Sequence, residues 1–466
     1  MRKKYLLVSC FLISRIAFCQ DVVSEPHRIT LSEAIDSAIK NYPSIKAKKA
    51  ERTASEFALK AAQTEGRIPD VIIQDQYQFA TNNSLAGATF PMQGAFPAVS
   101  GGIRSNNIYQ PVWGSLTDIQ VNWQAFTFGK VKANIDVAQK ALIRQEYDYE
   151  NELFQHQVKV ADAYLSLLVF QKTVRIQEVN LQRAITFRDV TNAKVISGLR
   201  AGIDSSFASA EVSKAKLLLL QSQQNERTQR IRLNELMGVS NGNFQADSMQ
   251  FFQKLPLISQ EKADVFQNPI LKVFNAQIDF SKARSIAIRK SYYPSIILNA
   301  SVWGRGSGVN NAKDSYSSKI TDGLGYQVGN YLLGVGISWN LTPIYRIRHE
   351  VSAELQRAEQ FQQLLNQQEL RLSSQNANAN IQIELAIQQA REAPIQTMAA
   401  QGAYQQATAR YDSGLATLLE VSQAFLLLNR AEVDQSIATN NVWRALLLKA
   451  ASIGNLSIFL SQVNSN

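Results

Sequence analysis

Two hydrophobic periods alternate along the chain. Residues 31–65 and 262–290, rich in Ala, Lys, Glu and Leu, predict helices, and Thr30 or Ser32 is placed to cap the first. The period then drops to two. β-Branched and aromatic residues alternate with polar ones over 71–79, 108–128, 292–303 and 331–341, which predicts four strands. Residues 130–194 hold neither Gly nor Pro, and about 65 residues at 1.5 Å each make a helix of roughly 100 Å. Within it Ala161, Tyr164, Leu165 and Leu168 fall at i, i+3, i+4 and i+7, and Val421, Ala424, Phe425 and Leu428 repeat that spacing. Gln, Asn and Ala fill much of the remaining surface, and the many Ala positions permit the close helix contacts of a coiled-coil wall. Pro394 is expected to end or kink the second long helix.

Between the strands of each pair lie segments rich in Gly, Asn, Ser and Pro, residues 80–107 and 304–329. They lack a helical period and are too long for a compact domain, so they are expected as exposed loops. The stretch from Gly304 to Gly308 has no Lys-Ser/Thr and no following helix, which excludes a phosphate cradle.

The same order of elements occurs twice. Val121-Asn-Trp123-Gln-Ala-Phe126, with Lys130 and Lys132 after it, aligns with Ile337-Ser-Trp339-Asn-Leu-Thr342, Arg346 and Arg348 at an offset of 216. That offset also superimposes Ser197-Gly198-Leu199 on Ser413-Gly414-Leu415 and Asp204 on Glu420. Asn41-Tyr42-Pro43 returns loosely as Asn268-Pro269. The chain therefore reads as a first repeat over 20–240, a linker over 241–259, a second repeat over 260–460 and a tail over 461–466. Gly198 and Gly414 break one helix, and Asp204 and Glu420 suit the first turn of the next, so each Ser-Gly-Leu marks a hairpin tip. These glycines can be read as helix caps alone, or as caps whose neighbours also present a contact surface.

Composition adds a compartment. Residues 1–19 form a basic start (Arg2, Lys3, Lys4), an apolar stretch interrupted by Arg15, and Ala17 and Cys19 before Gln20, the layout of a secretory signal peptide cleaved before Gln20. In a competing reading Cys19 becomes a lipidated first residue, but Phe18 is too bulky for a good lipidation signal. Removal of 1–19 takes four basic residues, lowers the formal charge from +10 to +6, and leaves no cysteine for a disulfide or thiolate site. No later stretch reaches the ~18 apolar residues of a spanning helix, so the exported chain is either soluble or inserted as a β-barrel. Charged residues are only 18% of the whole and the basic ones are dispersed, which argues against nucleic acid. The three histidines, His27, His156 and His349, lie far apart without metal-ligand spacing. No nucleophile elbow or metalloprotease motif occurs, so neither an enzyme nor a cofactor is expected.

An exported chain in two tandem halves, each with a helix opening, Asn-x-Pro or Asn-Pro, a strand pair ending at Trp123 or Trp339, a basic residue and a Gly-Leu helix break, resembles the TolC-like outer membrane efflux protein family. The resemblance runs from about Thr30 to Leu460. The chain departs from the family where the helix break reads Ser-Gly-Leu rather than Val-Gly-Leu or Val-Gly-Thr, and at Thr342-Pro343, where a Phe-Asp-Gly-like sequence is common. These departures bear on the partner rather than the fold. The resemblance implies a mainly α protomer in which long coiled-coil helices form a tunnel and four strands join a trimeric twelve-stranded outer-membrane barrel. It implies passive transport as the exit duct of a tripartite efflux pump or type I secretion system. The partners would be two further copies, outer-membrane lipid, a periplasmic adaptor and an inner-membrane pump of the resistance-nodulation-division or ABC type. The adaptor-docking tips would be Ser197, Gly198, Leu199, Ser413, Gly414 and Leu415. The gate would lie near Asp204 and Glu420, with Gln423 at a second family carboxylate position, and Trp123 and Trp339 would sit at the membrane interface. Asp204 and Glu420 equally suit a role limited to helix N-termini. A periplasmic coiled-coil tether without a channel is the alternative, and it leaves the strands and polar loops unexplained.

Overall fold

The computed structural model describes residues 27–65, 67–81, 107–240, 242, 244–256, 265–310, 313 and 315–464. The expected signal peptide, most of the first expected loop and residues 257–264, where the linker meets the start of the expected second-repeat helix, lie outside the described residues. The elements in order are β1 (His27–Ile29), α1 (Leu31–Asn41), α2 (Pro43–Glu65), β2 (Asp70–Ala80), β3 (Val112–Phe126), α3 (Lys130–Ile196), α4 (Gly202–Met237), β4 (Phe244–Ala246), α5 (Met249–Gln253), α6 (Pro269–Lys290), β5 (Ser295–Ser307), β6 (Val309–Asn310), β7 (Ser315–Tyr316), α7 (Ile320–Leu324), β8 (Val328–Ser338), α8 (Ile344–Asp412), α9 (Leu418–Ile453) and α10 (Ser457–Asn464). Among the described residues no helix is long and apolar enough to cross a membrane.

Several expectations are corrected. The first helix is two, because Pro43 starts a new helix rather than continuing the old one. Of the two expected caps of α1, Thr30 serves, as expected: its Oγ1 accepts from the Glu33 N–H at 3.3 Å while Glu33 Oε2 accepts from the Thr30 N–H at 2.8 Å. The helix expected from residue 262 starts at Pro269, with Asn268 Oδ1 accepting from the Ile270 N–H at 3.2 Å. Pro394 does not end α8, which runs through it; the Thr397 hydroxyl donates to the carbonyls of Ala393 and of Ala431 on α9, tying this stretch to its neighbour. The expected linker contains β4, which pairs in parallel with β1. The loop over 304–329 carries the β6–β7 hairpin and α7, fastened by the Gln327 N–H donating to the Arg305 carbonyl at 2.8 Å and by a Thr117–Tyr326 hydroxyl contact.

The chain divides into two compact units. One comprises the described residues up to Ala38, Val160–Leu255 and Ala390–Asn440; the other comprises Ile39–Lys159, Pro256–Gln389 and the described residues from Asn441. In the first unit Ala161, Tyr164, Leu165 and Leu168 are fully buried, as their spacing predicts. Val421 and Leu428 are buried too, but Ala424 and Phe425 only partly. Tyr164 anchors the small sheet, donating its hydroxyl toward the carbonyls of Ile29 and Asp247.

In the second unit α6 packs on α8 through Leu271, Ile278, Leu365 and Leu372. The C-terminus of α9 meets the N-terminus of α6. Fully buried Asn268 caps α6 with its oxygen while its amide donates to the carbonyls of Ala451 and Ser452, each at 3.1 Å. One side chain thereby satisfies orphan groups of two helix ends.

This unit also holds an antiparallel sheet in the order β2-β3-β5-β8. Its register puts Val71, Val121, Ala300 and Leu333 in one row, Ile73, Ile119, Val302 and Tyr331 in another, and Trp123, Leu298 and Val335 in a third, all on one face. Along β8 the residues Tyr331, Leu333, Val335 and Ile337 are 74–78% exposed, which in water would be a costly apolar surface. The opposite face is polar, with rows of Asn122 and Asn299, Gln120 and Ser301, and Gln74 and Asp118. Ser301 donates to buried Asp118 at 2.6 Å. Such a sheet suits lipid on one side and water on the other. Toward the loop end the apolar rows are interrupted at Asp75, which accepts from Thr117 at 2.6 Å, before the Phe79–Trp113 pair.

Candidate functional site: the helical tips

Both helical hairpins turn by the same local device. Gly198 has φ +73° and Gly414 φ +77°, and each allows the helix to close on itself. The Gly198 N–H donates to the Val195 carbonyl and the Leu199 N–H to that of Lys194; Gly414 and Leu415 repeat this with Tyr411 and Arg410. This is the two-bond left-handed cap of a helix C-terminus. Ser197 and Ser413 donate back to the carbonyls of Ala193 and Ala409. Leu199 and Leu415 are 73% and 71% exposed, so each tip presents a bare leucine. The cap and the presented apolar residue occur together.

The structure brings the two turns into contact. Lys194 Nζ lies 2.6 Å from Asp412, and the Arg200 guanidinium donates to the Tyr411 carbonyl and covers the Tyr411 ring at 4.2 Å. The Tyr411 hydroxyl donates to Asp204 at 2.9 Å. Burial, and then this carboxylate, push the Tyr411 pKa up, so the phenol keeps its proton and remains a donor. Sequence reasoning missed Tyr411 and Arg200. Under the 216-residue offset they align with Val195 and Ala416, so the repeat that locates the tips hides the residues joining them.

Asp204 and Glu420 have different jobs despite their equivalence. α4 starts at Gly202, its N-cap residue Ala201 makes no side-chain cap bond, and Asp204 faces Tyr411 across the seam. Glu420 Oε1 accepts from the Thr417 N–H at 3.2 Å, while Thr417 Oγ1 accepts from the Glu420 N–H at 3.4 Å, a capping box. The Thr417 N–H, then its hydroxyl, hold the Glu420 carboxyl below the ordinary range, so it is ionised near neutrality. Gln423 is exposed.

Behind the tips a polar seam pins α3 to α9. Arg183 grips Glu432 with two bonds at 2.8 and 2.7 Å, and Gln177 and Asn429 exchange amide bonds at 3.3 and 3.1 Å in a buried setting. The Glu432 contact is the main reason the Arg183 pKa is raised. Paired amides and a two-pronged ion pair fix helix register better than aliphatic contacts, which tolerate sliding.

Trp123 and Trp339 belong to the other unit. Trp123 lies on the apolar face of the sheet opposite Leu298, and Trp339, just past β8, donates its indole N–H to the Tyr292 carbonyl at 3.0 Å. Exposed Phe126, Phe128 and Tyr293 extend an aromatic cluster at that end of the strands.

A sheet with one bare apolar face, fed by long helices in two repeats, defines an outer-membrane channel protomer. The outer membrane efflux protein family model matches residues 34–239 and 265–454, and the chain belongs to that family, which is a family of channels rather than of enzymes. No curated protein matches by sequence. Among solved structures, VceC of Vibrio cholerae is similar at 16% identity and TM-score 0.70, over 91% of this chain and 96% of that one. The Campylobacter jejuni CmeC channel is similar at 13% identity and TM-score 0.72, over 91% and 85%. The open state of the Neisseria gonorrhoeae MtrE channel is similar at 16% identity and TM-score 0.66, over 91% and 89%. The protein is an outer-membrane efflux channel with the TolC-like fold.

Proposed function

We propose that three copies of the chain form one passive exit duct, docked through its tips to a periplasmic adaptor and fed by an inner-membrane pump. The observation that carries this reading is the sheet: β2 and β8 are both edge strands, and the apolar face reaches both. Unpaired strand edges in lipid cost several kcal/mol per group, so copies must pair edge to edge. Three sets of four strands make a twelve-stranded barrel, with Trp123 and Trp339 at its periplasmic rim. The purified protein is expected to run as a trimer in mild detergent, measured by light scattering. A monodisperse monomer with its strands intact would overturn the proposal.

The contacts between the turns act as a latch on the tunnel entrance. Removing the hydroxyl in Tyr411→Phe leaves Asp204 without that donor, a loss of roughly 1.5–3 kcal/mol for a hydrogen bond to a charged group. Single-channel conductance in planar bilayers is expected to rise while helicity stays the same. Unaltered conductance would reduce the contact to packing.

Glu420 combines a capping bond with a fixed negative charge, and three copies near the entrance would favour cations. With Gln at 423 the ring is weaker than one with two carboxylates per chain. Glu420→Gln is expected to reduce cation preference and relieve block by trivalent metal ions. A role limited to capping predicts intact selectivity and a small loss of stability instead. Because the Glu420 pKa is lowered in the fold, the stabilisation it gives is present above its ordinary value and fades as pH falls through the lowered one. Melting temperatures of wild type and variant should therefore converge in acid.

A further inference from the structure

A cavity of about 390 Å³ lies among the four helices that make the tips, within a single chain. Phe187 of α3, Phe207 of α4, Tyr404 of α8 and Phe425 of α9 supply its aromatic walls, and Asp204 and Glu211 are its charged lining. No Lys, Arg or His lines it. Two cations lie beside the walls: Lys214, half exposed, forms a loose ion pair with Glu211 at 3.7 Å, and Arg183, which acts on Tyr404, is bound by Glu432. Glu211 otherwise accepts from the Ser422 hydroxyl at 2.8 Å, and Asp204 from that of Tyr411.

This volume and composition are those of a small-molecule site: concave, largely apolar, with a few polar groups to orient the occupant. Two carboxylates beside aromatic faces give the site a sign. A cation is attracted both by the carboxylates and by the negative ring faces, whereas an anion is repelled by both. We infer that the tip of each chain binds an amphiphilic organic cation in this cavity, its charge toward Asp204 and Glu211 and its apolar body among Phe187, Phe207, Tyr404 and Phe425. The site is separate from any carboxylate ring at Glu420, which does not line the cavity. Its walls come from both hairpins, so an occupant adds attraction across the seam already bridged by Tyr411 and Asp204. Occupancy therefore favours this packed arrangement of the tips over any arrangement that separates them.

Equilibrium dialysis of the full-length protein in detergent, with tetraphenylphosphonium as probe and detergent alone as the blank, tests the inference. Tetraphenylborate, nearly the same size and shape with the opposite charge, is the comparison. The expected result is saturable binding of one tetraphenylphosphonium per chain, no saturable tetraphenylborate binding, and affinity weakened by about tenfold in Glu211→Gln, the scale of one partly desolvated charge contact. Asp204→Asn repeats the test if Glu211→Gln fails to fold, and far-UV circular dichroism identifies that failure. Absence of saturable binding to wild type, as when a neighbouring chain fills the cavity, overturns the inference. Equal binding of the two probes, or undiminished affinity in the folded carboxylate variants, overturns it as well. None of these outcomes depends on conduction, so they leave the duct proposal untouched.

Discussion

Valine at Gly454 is expected to abolish accumulation of folded protein in the outer membrane. Gly454 has φ +83° at the end of α9, a conformation that costs an ordinary residue roughly 1–2 kcal/mol and a β-branched one more. Space is the larger problem. A Cβ at this position would lie 2.5 Å from Asn268 Cα and 2.8 Å from Pro269 Cδ, and neither can swing aside as a flexible side chain would. Overpacking of this kind adds about 1–3 kcal/mol where the backbone can shift at all. Shifting it here pulls the Asn268 amide off the carbonyls of Ala451 and Ser452, leaving buried acceptors unpaired at about 1–3 kcal/mol. Together these approach the whole stability of an ordinary domain, about 5–15 kcal/mol. Membrane fractions probed for the folded oligomer provide the measurement. Wild-type amounts and an unchanged melting temperature would mean that the junction of α6 and α9 tolerates displacement.

Valine at both Gly198 and Gly414 is expected to abolish efflux without removing the protein from the membrane. The backbone strain is of the same kind, but the surroundings are opposite: a Cβ at either position meets nothing within 4 Å. The loss is therefore confined to the turns, which give up the left-handed cap and re-aim Leu199 and Leu415. The proposed docking surface on those leucines would be spoiled while the cores of both units are untouched. Drug susceptibility of cells carrying the double variant, together with the amount of oligomer recovered, reads the two effects separately. Normal export with normal amounts would remove the tips from the mechanism.

The contrast between these glycines also shows what was legible in the sequence. The offset of 216 residues locates Gly198 and Gly414 because each sits in an identical tripeptide. It equally relates Gly238 to Gly454, which both end helices in the left-handed conformation, but their neighbours differ and no motif draws attention to them. Strand periodicity located all four strands of the sheet within a few residues, since one face is apolar over most of its length. The small parallel pair of β1 and β4 was hidden because three residues are too few to show a period. Asn268-Pro269 was visible as a repeat landmark, but its hold on the end of α9 depends on a contact 183 residues distant, which no local pattern encodes. The contact between the turns has the same origin: Tyr411 reads as an ordinary apolar-face residue until the other hairpin brings Asp204 to it.

Chain separation governs the order of assembly as well. The bond between Ser301 and Asp118, at the centre of the sheet, also joins residues 183 apart. Closing a loop of that length carries an entropic cost that only later contacts offset, so neither the sheet centre nor the α6–α9 junction can form early. A chain that has emerged only as far as Met237 possesses β2 and β3 with no β5 to cover the edge of β3. Until the second repeat follows it, the first repeat is thus a half-sheet with an adhesive border. Truncation after α4 should yield not a smaller stable half but an aggregation-prone fragment, and duplication of a foldable unit does not by itself make either copy independent.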